Sequence, residues 1–188
     1  MPAALISKET LLARLLDIFR ERGYEGASLA DLSEATGLGR SSLYHYFPGG
    51  KDEMATAVLA HLDGILEQAL YAPLATTVSP KKKLEAMLAV LDDFYEGGAR
   101  ACLLERLCAS VDRPVIRGPL RRSFELWLVA FEKLGTDAEL PRAVARARAE
   151  DALARIEGAL VVVAGTGKKD VFARALDDVR STFLAGKR

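Results

Sequence analysis

GLGRSSLYHYFPGGK, residues Gly37 to Lys51, places four ring-bearing side chains in succession, Tyr44, His45, Tyr46 and Phe47, and contains no acidic residue. Successive residues of a helix are rotated by about 100°. Four in a row cannot all face one core, so some of these rings must be exposed. An aromatic cluster on a helix is ordinarily core. Here that reading accounts for Leu43 and Phe47, four apart, and leaves the other rings to be explained.

The residues before it complete a unit. SLADLSEATG, Ser28 to Gly37, reads as a short helix. The Ser28 hydroxyl is placed to accept an orphan N–H of the first turn, and Asp31 stands three residues on, in the capping-box position. Leu29, Leu32 and Ala35 are expected to face inward, Leu43 and Phe47 to do so on the next helix, and Leu38 to fill the turn. Two short helices across a glycine-containing turn make the helix-turn-helix pattern.

With Leu43 and Phe47 inward, Arg40, Ser41, Ser42, Tyr44, His45 and Tyr46 face out. These are small or planar donors and acceptors with one fixed positive charge, a set suited to a major groove. Arg40 can grip a guanine edge in a bidentate way. The Tyr and His side chains can donate to phosphate oxygens while their rings cover sugars and thymine methyls. Lys51 and the free N–H groups at the start of the following helix are expected to hold a phosphate together.

Around this unit the 188-residue chain is half hydrophobic and 28% charged, a globular composition. Its longest apolar runs, such as GALVVVAG from Gly158 to Gly165, fall far short of the roughly 20 residues that span a bilayer. The N-terminus meets charges too early for a secretory signal. A cytoplasmic location is expected. Cys102 and Cys108 fit no metal or redox spacing and read as two buried free thiols. The 26 basic and 26 acidic residues cancel, which argues against non-specific coating of nucleic acid and is silent about a small specific contact. Residues 1–66 hold six basic and nine acidic residues, so this part is itself negative.

Apolar residues recur at three and four along nearly the whole chain, without strand-like alternation. An all-α fold of about nine helices is predicted: about 7–22, 28–36, the helix of the opening stretch, 51–71, 80–96, 99–111, 114–134, 140–164 and 168–185, with Gly and Pro between. A helix-turn-helix domain is expected over 1–52, a connecting helix over 51–71, and a second domain over 72–188.

ARLLDIFRERGYEGASLADLSEATGLGRSSLYHYFPGGKDEM, Ala13 to Met54, resembles the N-terminal domain of the TetR (tetracycline repressor) family. Phe19, Gly23, Tyr24, Ser28, Gly37, Leu43, Tyr44, Phe47 and Lys51 fall at the expected positions. The FPGGK junction resembles the LmrA/YxaF-like branch. Gly39 stands where the family often has a capping Ser or Thr.

The resemblance implies a homodimeric regulator of transcription, usually a repressor. It would bind palindromic double-stranded DNA and be released by a small hydrophobic ligand, with no cofactor, metal or membrane. DNA contacts would then be Ser28, Arg40, Ser41, Ser42, Tyr44, His45, Tyr46 and Lys51. The last two helices would dimerise through Leu153, Ile156, Leu160 and Val163 and through Phe172, Leu176, Val179 and Phe183; core packing inside one chain explains part of both stripes. Met87, Leu91, Phe94, Tyr95, Cys102, Leu103, Leu107, Phe124, Trp127 and Phe131 would line a ligand cavity, and each also reads as ordinary core. Ligand would shift the fourth helix and move the two heads out of register.

Other readings are weaker. VVAGTGKK, Val162 to Lys169, lacks the first glycine and the hydroxyl of a phosphate-binding loop. His45 and His61 form no metal cluster or nucleophile–base pair, so an enzyme is not expected. A helical interaction protein that keeps the fold without specific DNA binding is the alternative.

Overall fold

The computed structural model describes residues 6–186, which form nine α-helices and no strand. The helices are α1 (Lys8–Gly26), α2 (Leu29–Thr36), α3 (Arg40–Tyr46), α4 (Gly50–Leu74), α5 (Pro80–Phe94), α6 (Leu103–Cys108), α7 (Pro114–Asp137), α8 (Arg142–Thr166) and α9 (Asp170–Thr182). The chain divides into two compact units. One comprises Met1–Asp63 with Leu103–Ser123, the other Gly64–Cys102 with Phe124–Arg188. Among the described residues no helix is long and apolar enough to cross a membrane.

In the first unit, Ser7 caps α1 by accepting from the Thr10 N–H at 3.1 Å. Leu11, Leu12, Leu15, Leu16 and Phe19 are buried along one stripe. The sequence predicts a stop near Arg22; the helix instead breaks at Gly23 (φ 66°, ψ −178°) and resumes to Gly26. Only glycine adopts that conformation readily. A side chain there would also approach the Arg106 carbonyl oxygen on α6, the helix that packs on α1.

In the second unit α8 and α9 pack on each other, and α9 also meets α5. Rings tie the core together: Trp127 stacks on Phe131, Phe131 meets Phe183 edge-on, and Tyr95 meets Phe94 and Phe172 edge-on. Small residues set the helix spacing. A Cβ added to Gly135 would lie 2.7 Å from the Ala145 Cβ.

The expected fifth, sixth and ninth helices are shortened, the ninth to Asp170–Thr182. The fifth ends at Phe94 and the sixth starts only at Leu103. Glu96, Gly97 and Gly98 between them take positive φ values of 51°, 63° and 87°. Gly98 lies so close to Phe172 that a Cβ would come within 2.6 Å of its Cβ. The turn is therefore fixed by packing and by backbone freedom together. Both α4 and α7 run past their expected ends and carry a proline inside, Pro73 and Pro119. Cys102 is buried as expected, but Cys108 is exposed, at the last turn of the short α6.

Candidate nucleic-acid interface

The capping box of α2 forms as the sequence predicts. The Ser28 side chain accepts from the Asp31 N–H at 3.2 Å, and the Asp31 carboxylate accepts from the Ser28 N–H at 2.9 Å. The Ser28 hydroxyl itself donates to that carboxylate at 2.6 Å. Arg22 adds an ion pair at 2.6 Å. These hydrogen bonds, the Ser28 hydroxyl foremost, hold the Asp31 carboxyl below its ordinary pKa. Ser28 thus spends its hydroxyl on building the helix, although its side chain is on the surface.

The turn is closed from three sides. Gly37 takes the left-handed conformation (φ 70°) that ends α2. Arg14 of α1 donates to the Thr36 carbonyl at 3.0 Å. The Ser33 hydroxyl donates to the Leu38 carbonyl. Leu32 and Leu43 are fully buried and Phe47 nearly so. These contacts fix α3 relative to α2 and leave its other side in solvent.

Arg40, Ser41, Ser42, Tyr44 and His45 are exposed, and Tyr46 is half-buried. Tyr44 is 45% exposed, a large aromatic left open on a seven-residue helix. His45 and Tyr46 pack edge-on, 6.1 Å between ring centres. Gly39 at the N-cap provides no side-chain hydrogen bond, as a glycine there must. Six of the eight predicted contact residues thus share α3 and its outward side; Ser28 and Lys51 lie outside it.

Lys51 sits differently from the expectation. It is half-buried, and its ammonium donates to the Ala27 carbonyl at 2.9 Å and lies 4.4 Å from the centre of the Tyr24 ring. The start of α4 is also occupied: the Glu53 carboxylate accepts from the Gly49 N–H at 2.7 Å, and Asp52 accepts from the Tyr24 hydroxyl. A phosphate meeting this helix start would compete with those acids. The signal for this was present in the sequence as Asp52 and Glu53, directly after Lys51.

The remaining predicted residues separate by unit. Met87, Leu91, Tyr95, Cys102, Trp127 and Phe131 are buried in the second unit, with Phe94 and Phe124 half-buried there. Leu103 and Leu107 belong to the first unit, on α6. The Tyr95 hydroxyl lies 3.4 Å from the Cys102 sulfur, which lies 3.2 Å from Glu157 Oε1. Trp127 is fully buried, and its indole N–H has no acceptor among the described residues.

Leu153, Ile156, Leu160, Val163, Phe172, Leu176, Val179 and Phe183 are the residues predicted to face a second copy. All eight are buried within the single chain. Both stripes are used up where α8 packs inside the second unit, because an amphipathic period marks a buried face without saying what buries it. The outward side of α8 instead exposes Ala147, Glu150, Asp151, Ala154 and Arg155, and beyond them Gly158, Val161, Val162, Ala164 and Gly165. Val161 and Val162 are 48% and 44% exposed. A groove of about 650 Å³ lies nearer the start of the same helix, lined by Arg148, Asp151, Ala154, Arg155, Val179 and Phe183 among others. The sequence carried that signal as a second, smaller-residue repeat on α8.

Among the described residues no three His, Cys, Asp or Glu side chains are grouped to hold a metal. The family of bacterial regulatory proteins of the tetR type matches residues 11–58. The transcriptional repressor DhaR of a Mycobacterium species is 25% identical over 150 residues, 78% of this chain and 74% of its own. The transcriptional regulator LmrA of Bacillus subtilis is 27% identical over 82 residues, 44% of each chain, and is compatible with the branch suggested by the FPGGK junction. A TetR transcriptional regulator of Legionella pneumophila shares the fold, with TM-score 0.85 and 17% identity over 94% of this chain and 97% of that one.

Proposed function

We propose, because this chain belongs to the TetR family of bacterial regulatory proteins, that its helix-turn-helix reads a palindromic operator as one half of a homodimer and represses transcription there. The observation that carries this reading is the outward side of α3: Arg40, Ser41, Ser42, Tyr44 and His45 exposed on one short helix whose inward residues are wholly buried. Arg40 is the base-reading residue. Tyr44, His45 and Tyr46 hold the backbone, Ser28 caps the helix that supports them, and Lys51 braces the junction. The regulator works in the cytoplasm. Its DNA-binding domain is residues 1–52, α4 is the connecting helix, and residues 72–188, apart from the Leu103–Ser123 segment that belongs to the first unit, bind the effector and the second copy.

Dimerisation uses the outward side of the last turns of α8, because Gly158, Val161, Val162 and Gly165 leave a small-residue apolar patch uncovered there. Two heads then meet successive major grooves about 34 Å apart. The effector is a small hydrophobic molecule received by the second unit. The orphaned Trp127 N–H calls for a hydrogen-bond acceptor on it, since a buried donor without a partner is costly. An effector that turns operator occupancy over must bind the DNA-released state about 10⁴-fold more tightly than the bound one.

The test is selection of duplexes from a random pool with the full chain, followed by binding at two salt concentrations. Recovery of an inverted repeat bound with a steep salt dependence supports the reading. Failure to enrich any sequence, or binding that ignores salt, favours a helical interaction protein.

A further inference from the structure

Resting on that DNA-binding reading, we infer that Arg113 is a positioning residue for α3, acting through Tyr24 and not by touching DNA. Leu103–Ser123 belongs to the first unit, although the residues on either side of it in the chain belong to the second. The segment is held at both ends. At its far end the Arg122 Nε donates to Asp63 of α4 at 2.8 Å, and the Ser123 hydroxyl donates to the same carboxylate. At its near end the Arg113 guanidinium lies 4.6 Å from the centre of the Tyr24 ring, and its Nε donates to Glu25 at 2.9 Å.

Tyr24 gathers the other contacts. It is 4% exposed and stacks on Phe19. Its hydroxyl donates to Asp52, and its ring also carries the Lys51 ammonium. Lys51 in turn holds the Ala27 carbonyl, the residue between α1 and the cap of α2. One ring therefore receives cations from two separate stretches of chain, and its hydroxyl grips the first turn of α4. Burial, with the hydrogen bond to Asp52, pushes the Tyr24 hydroxyl up to about 12, so it stays a donor across the physiological range.

The route continues to the proposed contact face. Gly50, next to Lys51, has φ 66°, and a Cβ there would lie 3.3 Å from Tyr44 Cε1. The Tyr44 ring thus rests against the backbone that Tyr24 and Lys51 hold. Arg113, Tyr24 and the Lys51–Asp52 turn are joined by direct contacts, and the Tyr44 ring lies beside Gly50, the adjoining residue in the chain. The series starts in a segment covalently joined to the second unit and ends on α3. Arg113 is partly exposed and Tyr24 buried, so removing the arginine loosens the series without opening the core.

The experiment uses the full chain and the duplex it selects from a random pool. Arg113→Met is expected to weaken binding roughly five- to thirty-fold, the scale of removing one exposed cation–π interaction from each of two heads. The melting temperature should stay essentially at that of the parent protein, and Arg113→Lys should recover most of the affinity. Glu25→Gln, which unties Arg113 without removing it, should give a smaller loss in the same direction. Two readouts separate positioning from a plain structural role. Arg113→Met should cost little more once Tyr44→Ala is present, because both act on one series of contacts. Without DNA, the amides of residues 47–52 should exchange faster in Arg113→Met.

Parent-like affinity in Arg113→Met overturns the inference while leaving the DNA-binding reading intact. So does simple addition of its effect to that of Tyr44→Ala. A salt slope reduced by about 0.9 per head would make Arg113 a direct phosphate contact and overturn it as well. A parent protein that binds no duplex removes both readings together.

Discussion

α3 and α8 show opposite outcomes of the same sequence signal. Each has an apolar stripe at helical spacing and a second side to be accounted for. On α3 the stripe is two residues, Leu43 and Phe47, and the outward side is polar and aromatic. On α8 the buried stripe is Ala145, Ala149, Ala152, Leu153, Ile156, Ala159, Leu160 and Val163, and the outward side still carries Val161 and Val162. A buried stripe establishes that a helix packs. The residues on its other side show whether it has further business, and on the last turns of α8, from Gly158 to Gly165, the exposed ones are small and apolar, the composition of a surface that another helix can approach closely.

That contrast can be broken by substitution. Val161→Glu together with Val162→Glu should abolish self-association. Such paired carboxylates would be desolvated in a two-fold interface without compensation, and sedimentation should report a monomer that remains helical. Next in size, Phe172→Ala should destabilise the chain by about 3–5 kcal/mol, because it empties a fully buried ring site between Tyr95 and Gly98. Chemical denaturation measures it. The α3 side should behave inversely: Arg40→Ala should lose about 1–3 kcal/mol of specific duplex binding and relax base preference at one position, with the denaturation midpoint unmoved. Smaller again, Ser28→Ala should lower stability by about 1 kcal/mol through the lost cap, and reduce binding only as far as α2 frays.

Last comes an effect of Tyr24 that is confined to alkaline solution. Its pKa is raised from 10.0 to about 12 in the folded chain. Above about pH 10 the unfolded chain gives up the Tyr24 proton while the folded chain keeps it, so stability is complete below that pH and declines as pH rises toward 12. Tyr24→Phe should remove that decline, as read by thermal melts across the alkaline range.

Much of the first unit was legible because its signals are local. The Ser28–Asp31 cap, Gly37 at the left-handed position and the Leu43–Phe47 pair each sit within a few residues of the structure they cause. The nine-helix count followed from Gly and Pro punctuation and from long apolar periods. What escaped depends on residues distant in sequence. Nothing near Arg113 announces Tyr24, 89 positions earlier, and nothing near Gly97 and Gly98 announces Phe172. Lys51 reads as free because lysine normally is, and its carbonyl and ring partners come from the end of α1 and beyond. The apolar stripes of α8 and α9 are plain in the sequence, but their periodicity could not reveal that one chain already buries them.

The DNA-binding reading depends on the outward side of α3. Its most direct test is duplex affinity, by fluorescence anisotropy on a selected operator, for a chain carrying Arg40→Ala, Tyr44→Ala and His45→Ala together. The expected result is at least a roughly hundred-fold loss of affinity, from about 1–3 kcal/mol per specific contact, with an unchanged melting temperature and unchanged self-association. A triple variant that binds the operator as tightly as the parent chain would contradict it.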